Sequence, residues 1–368
     1  MRAWTRDTAL AALEPVDLRW TVGDDVPPVG RGLRNLGNSC FLNSILQALT
    51  HTAPLAKLCL ARRHTANCAL TNAREPCAFC IIERHAIAPE EVFGNLRLLA
   101  RHFVRGRQED AHELLRLSLE AMDDSCLANC GRPSARRGGH RGQSSVVFDP
   151  ETGARLAPPT AVERIFQGKF RNLVRCARCG HESKTYDPFL DVSLELPGRE
   201  DRSSHGGGYG PGYLRGSGSA RGSVESALKN FTEEERLEGE NAYRCERCKD
   251  LCPATKRLTI HEAPAILVVH LKRFDHYGGK INSPVDFTER LTLGGHMSED
   301  AEEAGPAYRL YAMVTHSGND AIASFYGAAT NASDDEWYLC DDSSVRRVNR
   351  ADVFDEQAYV LFYERDEE

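Results

Sequence analysis

Apolar residues recur at helical spacing in the first third of the chain and at alternate positions in the rest. Phe41, Leu42, Ile45, Leu46 and Leu49 fall on one side of a 3.6-residue turn and predict a helix beginning at Cys40. Ala111, Leu114, Leu115, Ser118, Leu119 and Met122 do the same for a helix over 110–122, and 90–104 also reads as a helix. After Phe166 the pattern changes to strands, over 189–196, 265–274, 307–315 and 358–363. In the third of these, Tyr308, Leu310, Ala312 and Val314 alternate, as the buried face of a half-covered strand requires. No internal repeat is found. The expected fold class is α+β, with a helical first lobe and a β-rich remainder.

Two stretches break both patterns. Residues 131–145 (GRPSARRGGHRGQSS) carry four arginines, no acid and no apolar periodicity. Residues 198–222 hold nine glycines in 25 positions. Neither can bury enough apolar surface to offset chain entropy, so both are expected to be flexible insertions on the surface.

Composition narrows the function classes. The chain has 368 residues, a soft prior of two or three units, with 41% hydrophobic and 27% charged positions. Lys and Arg number 46 against 53 Asp and Glu, giving 46 − 53 = −7. A negative balance without a basic stripe argues against nucleic acid, and against an RNA scaffold built on the Arg/Gly insertions. It suits a basic protein partner. The longest strongly apolar run, AILVVHL over 265–271, is far short of the ~18 residues of a membrane helix. The N-terminus has no signal-peptide core, so an intracellular setting, cytoplasmic and/or nuclear, is expected with no membrane partner. In such a reducing compartment the 13 cysteines read as metal ligands or nucleophiles rather than disulfides.

Cys176-x₂-Cys179 and Cys245-x₂-Cys248 are two CxxC pairs with 65 residues between them, each preceded by strand-like sequence. Two such knuckles complete a tetrahedral Cys₄ site, predicting a structural zinc with no open coordination position. Cys252 is a spare. A looser set, His64, Cys68, Cys77, Cys80 and His85, could hold a second zinc through three cysteines and either histidine, or could be reduced thiols.

Cys40 lies in GLRNLGNSCFLNSILQ, with Asn38 and Ser39 as expected N-caps and Gly32 and Gly37 available for an unusual backbone path. A cysteine in the first helical turn faces unpaired N–H groups and the positive end of the dipole, which favour a thiolate.

That string resembles the cysteine box of the ubiquitin-specific proteases, papain-like cysteine hydrolases. The resemblance runs from Arg31 to Arg365. It includes QEDAHE at 108–113, the CxxC pairs, RLTIHEAPAILVVHLKRFD, GGKINSPVDF, YRLYAMVTHSG, WYLCDDSSV and AYVLFYER, in the family's order. It implies a papain-like fold with a helical thumb (about 31–130), zinc-ribbon fingers (about 166–262, with the insertion at 198–222) and a β-rich palm. Residues 1–30 would be an N-terminal extension. The implied activity is ubiquitinyl hydrolysis, cleaving the bond after the C-terminal glycine of ubiquitin; the implied partners are ubiquitin and ubiquitinated proteins. Cys40 matches the nucleophile, Asn35 the oxyanion donor and Asp341 the residue orienting the catalytic histidine, a duty Asp342 could share. Gln108, Asp110 and Glu113 match the acidic segment that meets the tail of ubiquitin, and Phe274 a residue lining the tail groove.

One position departs from the family. Where its members carry Gly-His-Tyr, this chain has Ser324-Phe325-Tyr326, followed by the small residues Gly327, Ala328 and Ala329. A phenyl ring neither accepts the thiol proton nor protonates the leaving amine. The sequence therefore admits two readings, a deubiquitinase with impaired turnover and a ubiquitin-binding pseudoenzyme, and expects the Phe325 ring within side-chain reach of Cys40.

Overall fold

In the computed structural model the described residues are 16–19, 29–73, 75–85, 89–129, 159–196, 222–274, 280–317, 322–328 and 336–366. The expected insertions at 131–145 and 198–221 lie outside them. The chain divides into two compact units, 1–167 with 311–362, and 168–310 with 363–368.

The first unit is built around the helix Cys40–His51. Its apolar stripe predicted one buried face, yet Asn43, Ser44, Gln47 and His51 are buried as well. The polar face is tolerable because it is hydrogen-bonded: Gln47 Nε2 donates to the Arg31 carbonyl at 2.8 Å and Ser44 Oγ to the Phe41 carbonyl at 3.0 Å. Against this helix packs Ala111–Asn129, longer than the predicted 110–122. The strands Ser344–Val348, Trp337–Asp341, Ile322–Ala328 and Ala307–Ser317 are neighbours in that order, the last of them belonging to this unit from Tyr311 onward, and Ile322–Ala328 lies on the Cys40 helix. The antiparallel register sets Phe325 opposite Val314 on one side and Cys340 on the other.

The second unit carries a four-stranded sheet in the order Glu182–Phe189, Gly168–Cys176, Ala254–Glu262, Glu235–Leu237. A hairpin of Tyr243–Cys245 and Asp250–Cys252 presents the second CxxC pair. Gly168 is required at its place, since a Cβ there would stand 2.3 Å from the Phe189 ring and 2.7 Å from the Glu262 carbonyl. Val192–Glu195 runs parallel to Ile266–Lys272.

Three expected elements differ. The 90–104 helix is two short helices, Pro89–Gly94 and Leu96–Leu99, because Gly94 and Asn95 interrupt it and Ala100 turns extended. The 189–196 strand splits at Leu190 and Asp191, so that Phe189 ends one strand and Val192 begins another. The strand Ala307–Ser317 is buried on both faces from Tyr311 to His316 rather than on one. Interior strands covered on two sides lose the alternation that exposes one face.

Candidate active site

Cys40 is the first residue of its helix and is 5% exposed. The loop before it is shaped by backbone constraints. Gly37 and Asn38 both have positive φ, 96° and 52°. Gly32 approaches the 341–344 turn so closely that a Cβ would lie 2.3 Å from the Ser343 carbonyl oxygen, and Leu33 N donates to the Asp342 carbonyl at 2.8 Å. Ser39 stands at the N-cap position, but its hydroxyl makes no cap hydrogen bond. It accepts instead from the Leu36 backbone N–H at 2.8 Å, which closes the loop and leaves the N-terminal amides of the helix to other acceptors.

Asn35 and Asp342, expected in catalytic roles, are bonded to each other. Asn35 Nδ2 donates to Asp342 Oδ2 at 2.8 Å, and Asn43 Nδ2 donates to Asp342 Oδ1 at 2.7 Å. The Asn35 side-chain Oδ1 accepts from the Gly37 backbone N–H at 2.8 Å. Both carboxylate oxygens of Asp342 thus hold the cysteine loop and helix to the end of the strand Trp337–Asp341. Asp342 itself has φ 49°, a left-handed conformation that aspartate tolerates better than most residues. Asn43 was missed in the sequence. Its signal was a polar residue three positions after Cys40 within an apolar stripe.

Asp341 is exposed, and its Oδ1 accepts from Ser324 Oγ at 3.4 Å. Phe325 is fully buried. Its ring packs on the imidazole of His51, the last residue of the Cys40 helix, with centroids 4.9 Å apart at 44°. A Cβ at Gly327 would stand 2.6 Å from the Phe325 ring, so the ring occupies volume that a larger residue 327 would fill. His51 was also missed. Burial lowers its pKa and keeps the ring neutral, and Nδ1 pairs with the Gln47 carbonyl at 2.8 Å. His316 is buried with its ring edge-on to Tyr359 at 5.4 Å.

Cys176, Cys179, Cys245 and Cys248 converge, with all four sulfurs within 4.8 Å of one another. Cys179 and Cys245 sulfurs are 3.6 Å apart, and the Cys248 N–H points at the Cys245 sulfur at 3.4 Å. Burial opposes ionisation of Cys176, but the backbone N–H groups of Cys179 and Arg178 outweigh it and bring the thiol down to about 6. Thiolate-favouring donors around four converging sulfurs fit a closed tetrahedral zinc site. Cys252, the expected spare, is buried against this cluster.

The family model for ubiquitin carboxyl-terminal hydrolases matches residues 31–363. The chain belongs to that family. It is 36% identical to ubiquitin carboxyl-terminal hydrolase 25 of Arabidopsis thaliana over 92% of this chain and 47% of that protein. It is equally 36% identical to ubiquitin carboxyl-terminal hydrolase 42 of Homo sapiens over 96% of this chain and 24% of that one. The chain thus spans half or less of these relatives' length. Among solved structures, the SAGA DUB module Ubp8/Sgf11/Sus1/Sgf73 bound to monoubiquitin superposes with a TM-score of 0.70 at 23% identity, covering 94% of this chain and 72% of that one. The same module bound to ubiquitin aldehyde gives 0.67 at 22%, covering 92% and 70%. The fold is that of a ubiquitin-specific deubiquitinase, combining helices, β-sheets and a cysteine cluster suited to zinc.

In this hydrolase domain the expected tail-binding acids have structural work as well. Asp110 Oδ1 accepts from the backbone N–H of His112 at 2.7 Å and of Glu113 at 3.2 Å, capping the helix Ala111–Asn129. It also accepts from the Tyr359 hydroxyl at 2.8 Å. Burial first, and then the Asp110 charge, raise the pKa of Tyr359, so it stays a donor. Glu113 pairs with His102 Nε2 at 3.2 Å. Gln108 is half-buried in the extended segment before the helix. Phe274, in the second unit, is 44% exposed, unusual for so large an apolar side chain. Of the second cysteine set, His64 joins Cys68, Cys77 and Cys80, whereas the His85 side chain lies outside the described residues.

Proposed function

We propose that this chain is a thiol-dependent deubiquitinase domain with slowed turnover, acting on the isopeptide or peptide bond after ubiquitin's C-terminal glycine. Cys40 is the nucleophile. Its thiolate attacks the glycine carbonyl, the C–N bond breaks as the amine takes a proton from solvent water, and a further water hydrolyses the resulting thioester and returns the thiol. The observation that carries this reading is the seat of Cys40. It opens a helix whose approach loop is clamped by Asp342, so the sulfur and the N-terminal amides are held together. Such amides stabilise both the thiolate and the developing oxyanion. Asn35 would add an oxyanion donor when substrate draws its amide from Asp342, and Asp341 would orient a base if residue 325 supplied one. Losing positioned acid–base help costs about 10²–10⁴-fold.

Gln108, Asp110 and Glu113 would meet the basic tail of ubiquitin, and Phe274 would contact its apolar part. Ubiquitin and ubiquitinated proteins are the proposed partners, in an intracellular setting, cytoplasmic and/or nuclear. No helix among the described residues is long and apolar enough to cross a membrane. Zinc held by Cys176, Cys179, Cys245 and Cys248 would cross-link the finger strands and take no part in the chemistry.

A second reading, a ubiquitin-binding pseudoenzyme, is favoured by the Phe325–His51 packing, which leaves position 325 without a base. Ubiquitin bearing a C-terminal electrophile separates the two. Slow adduct formation on Cys40, abolished by Cys40→Ala, supports the deubiquitinase. Tight binding with no adduct after prolonged incubation supports the pseudoenzyme, and absence of both overturns each.

A further inference from the structure

We propose that His64, Cys68, Cys77 and Cys80 form a second structural zinc site, buried in the first unit and separate from the Cys₄ set of the second. The four ligand atoms lie within 4.8 Å of one another, and all four residues are buried. His64 Nε2 and the Cys77 sulfur are 3.3 Å apart. A tetrahedral zinc with bonds of about 2.3 Å to sulfur needs edges of about 3.8 Å, so closure asks only for small side-chain adjustments.

The surroundings of the sulfurs make the same case independently. The Cys80 backbone N–H points at the Cys77 sulfur at 3.4 Å, the same knuckle contact that Cys248 makes with Cys245 in the other set. Thr71 donates its backbone N–H to Cys68 and its hydroxyl to Cys80, each at 3.4 Å. Donors arranged around sulfur suit thiolates, and outer donors of this kind orient and tune metal ligands.

Three cysteines and one histidine fill a tetrahedron, and Phe79 stacks on the His64 ring with centroids 4.3 Å apart at 20°. With no open position, the metal would be structural rather than catalytic. Its mechanical role follows from which segments it joins. His64 lies in the short helix Arg63–Asn67 and Cys68 joins that helix to Ala69–Asn72, whereas Cys77 and Cys80 begin the helix Ala78–His85, which packs on Ala111–Asn129. Helices of four or five residues, such as Arg63–Asn67 and Ala69–Asn72, are not stable by themselves. A zinc would fasten them to the long helix, independently of whether the domain cleaves ubiquitin.

Metal analysis of the full chain, purified in the presence of reductant, tests this. Two zinc ions per chain are expected, one lost in Cys77→Ser and the other lost in Cys245→Ser. X-ray absorption at the zinc edge should then average about 3.5 sulfurs and 0.5 nitrogens per ion, the mean of a Cys₄ and a Cys₃His set. If Cys77→Ser does not fold, alkylation of the parent chain decides. Cys68, Cys77 and Cys80 should become reactive at the rate at which a chelator withdraws the second zinc. One zinc per chain, untouched by Cys77→Ser, overturns the proposal. So does a Cys77–Cys80 disulfide in the reductant-purified chain, or a purely sulfur-ligated metal signal.

Discussion

The Phe325 ring rests on the His51 imidazole with centroids 4.9 Å apart, at the far end of the helix that begins with Cys40. The Phe325 side chain is thus part of the core, and Gly327 leaves it room.

Placing a base at residue 325 should take two changes. Phe325→His alone leaves a void beside Gly327 into which the imidazole can settle against His51. Phe325→His with Gly327→Val fills that void and directs the imidazole toward Cys40. The double variant should label with a ubiquitin electrophile about 100-fold faster than the parent, the scale of a positioned base. Gly327→Val alone should destabilise the chain, because its side chain collides with the Phe325 ring. Equal labelling rates for parent and double variant would show that residue 325 does not limit the reaction.

Asp342 should act as a clamp. Asp342→Ala removes acceptors from Asn35 and Asn43 and leaves the buried Asn43 amide to find another partner. A loss of about 1–3 kcal/mol is expected, read as a lower urea midpoint with an unchanged slope. Asp341→Ala, whose side chain is exposed and held only at 3.4 Å by Ser324, should cost far less.

Binding of ubiquitin's tail by Asp110 must be distinguished from its capping of the helix Ala111–Asn129. Asp110→Asn keeps a capping oxygen and removes the charge, whereas Asp110→Arg removes the cap, worth about 0.5–2 kcal/mol, and reverses the charge. Both should weaken ubiquitin binding in a titration calorimeter, with only Asp110→Arg lowering the melting temperature appreciably. Unchanged affinity in Asp110→Asn would confine the residue to capping.

Stability should fall in mild acid. Burial lowers the His51 pKa in the folded chain, so below the ordinary histidine value of about 6.5 the unfolded chain binds a proton that the folded chain refuses. Stability is then full above that value and is lost as pH drops beneath it, by at most about 1.4 kcal/mol per pH unit for one group. His51→Gln should flatten this slope between about pH 6.5 and 5. An unaltered slope would assign it to other groups.

Chelation of the finger metal should loosen the second unit. Cys176→Ser is expected to release one zinc and expose the strands Gly168–Cys176 and Ala254–Glu262 to amide exchange, since metal binding and folding are coupled in such sites. Unchanged exchange in a zinc-free variant would show that the sheet stands without the ion.

The sequence by itself determined the family, the α+β class, the helix that begins at Cys40 and the convergence of the CxxC pairs. Periodicity and fixed spacing are local properties that survive any packing. The partners across long separations were not legible. The bonds of Asn35 and Asn43 to Asp342 join residues about 300 positions apart, and nothing local in either stretch selects them. The contact of His64 with Cys77 depended on how short helices fold back, and the burial of both strand faces from Tyr311 onward depended on what covers them. The direction of the Phe325 ring was decided by a space two residues away. Side-chain orientation follows the volume that neighbours leave free, and that volume exists only once the strand lies on the helix.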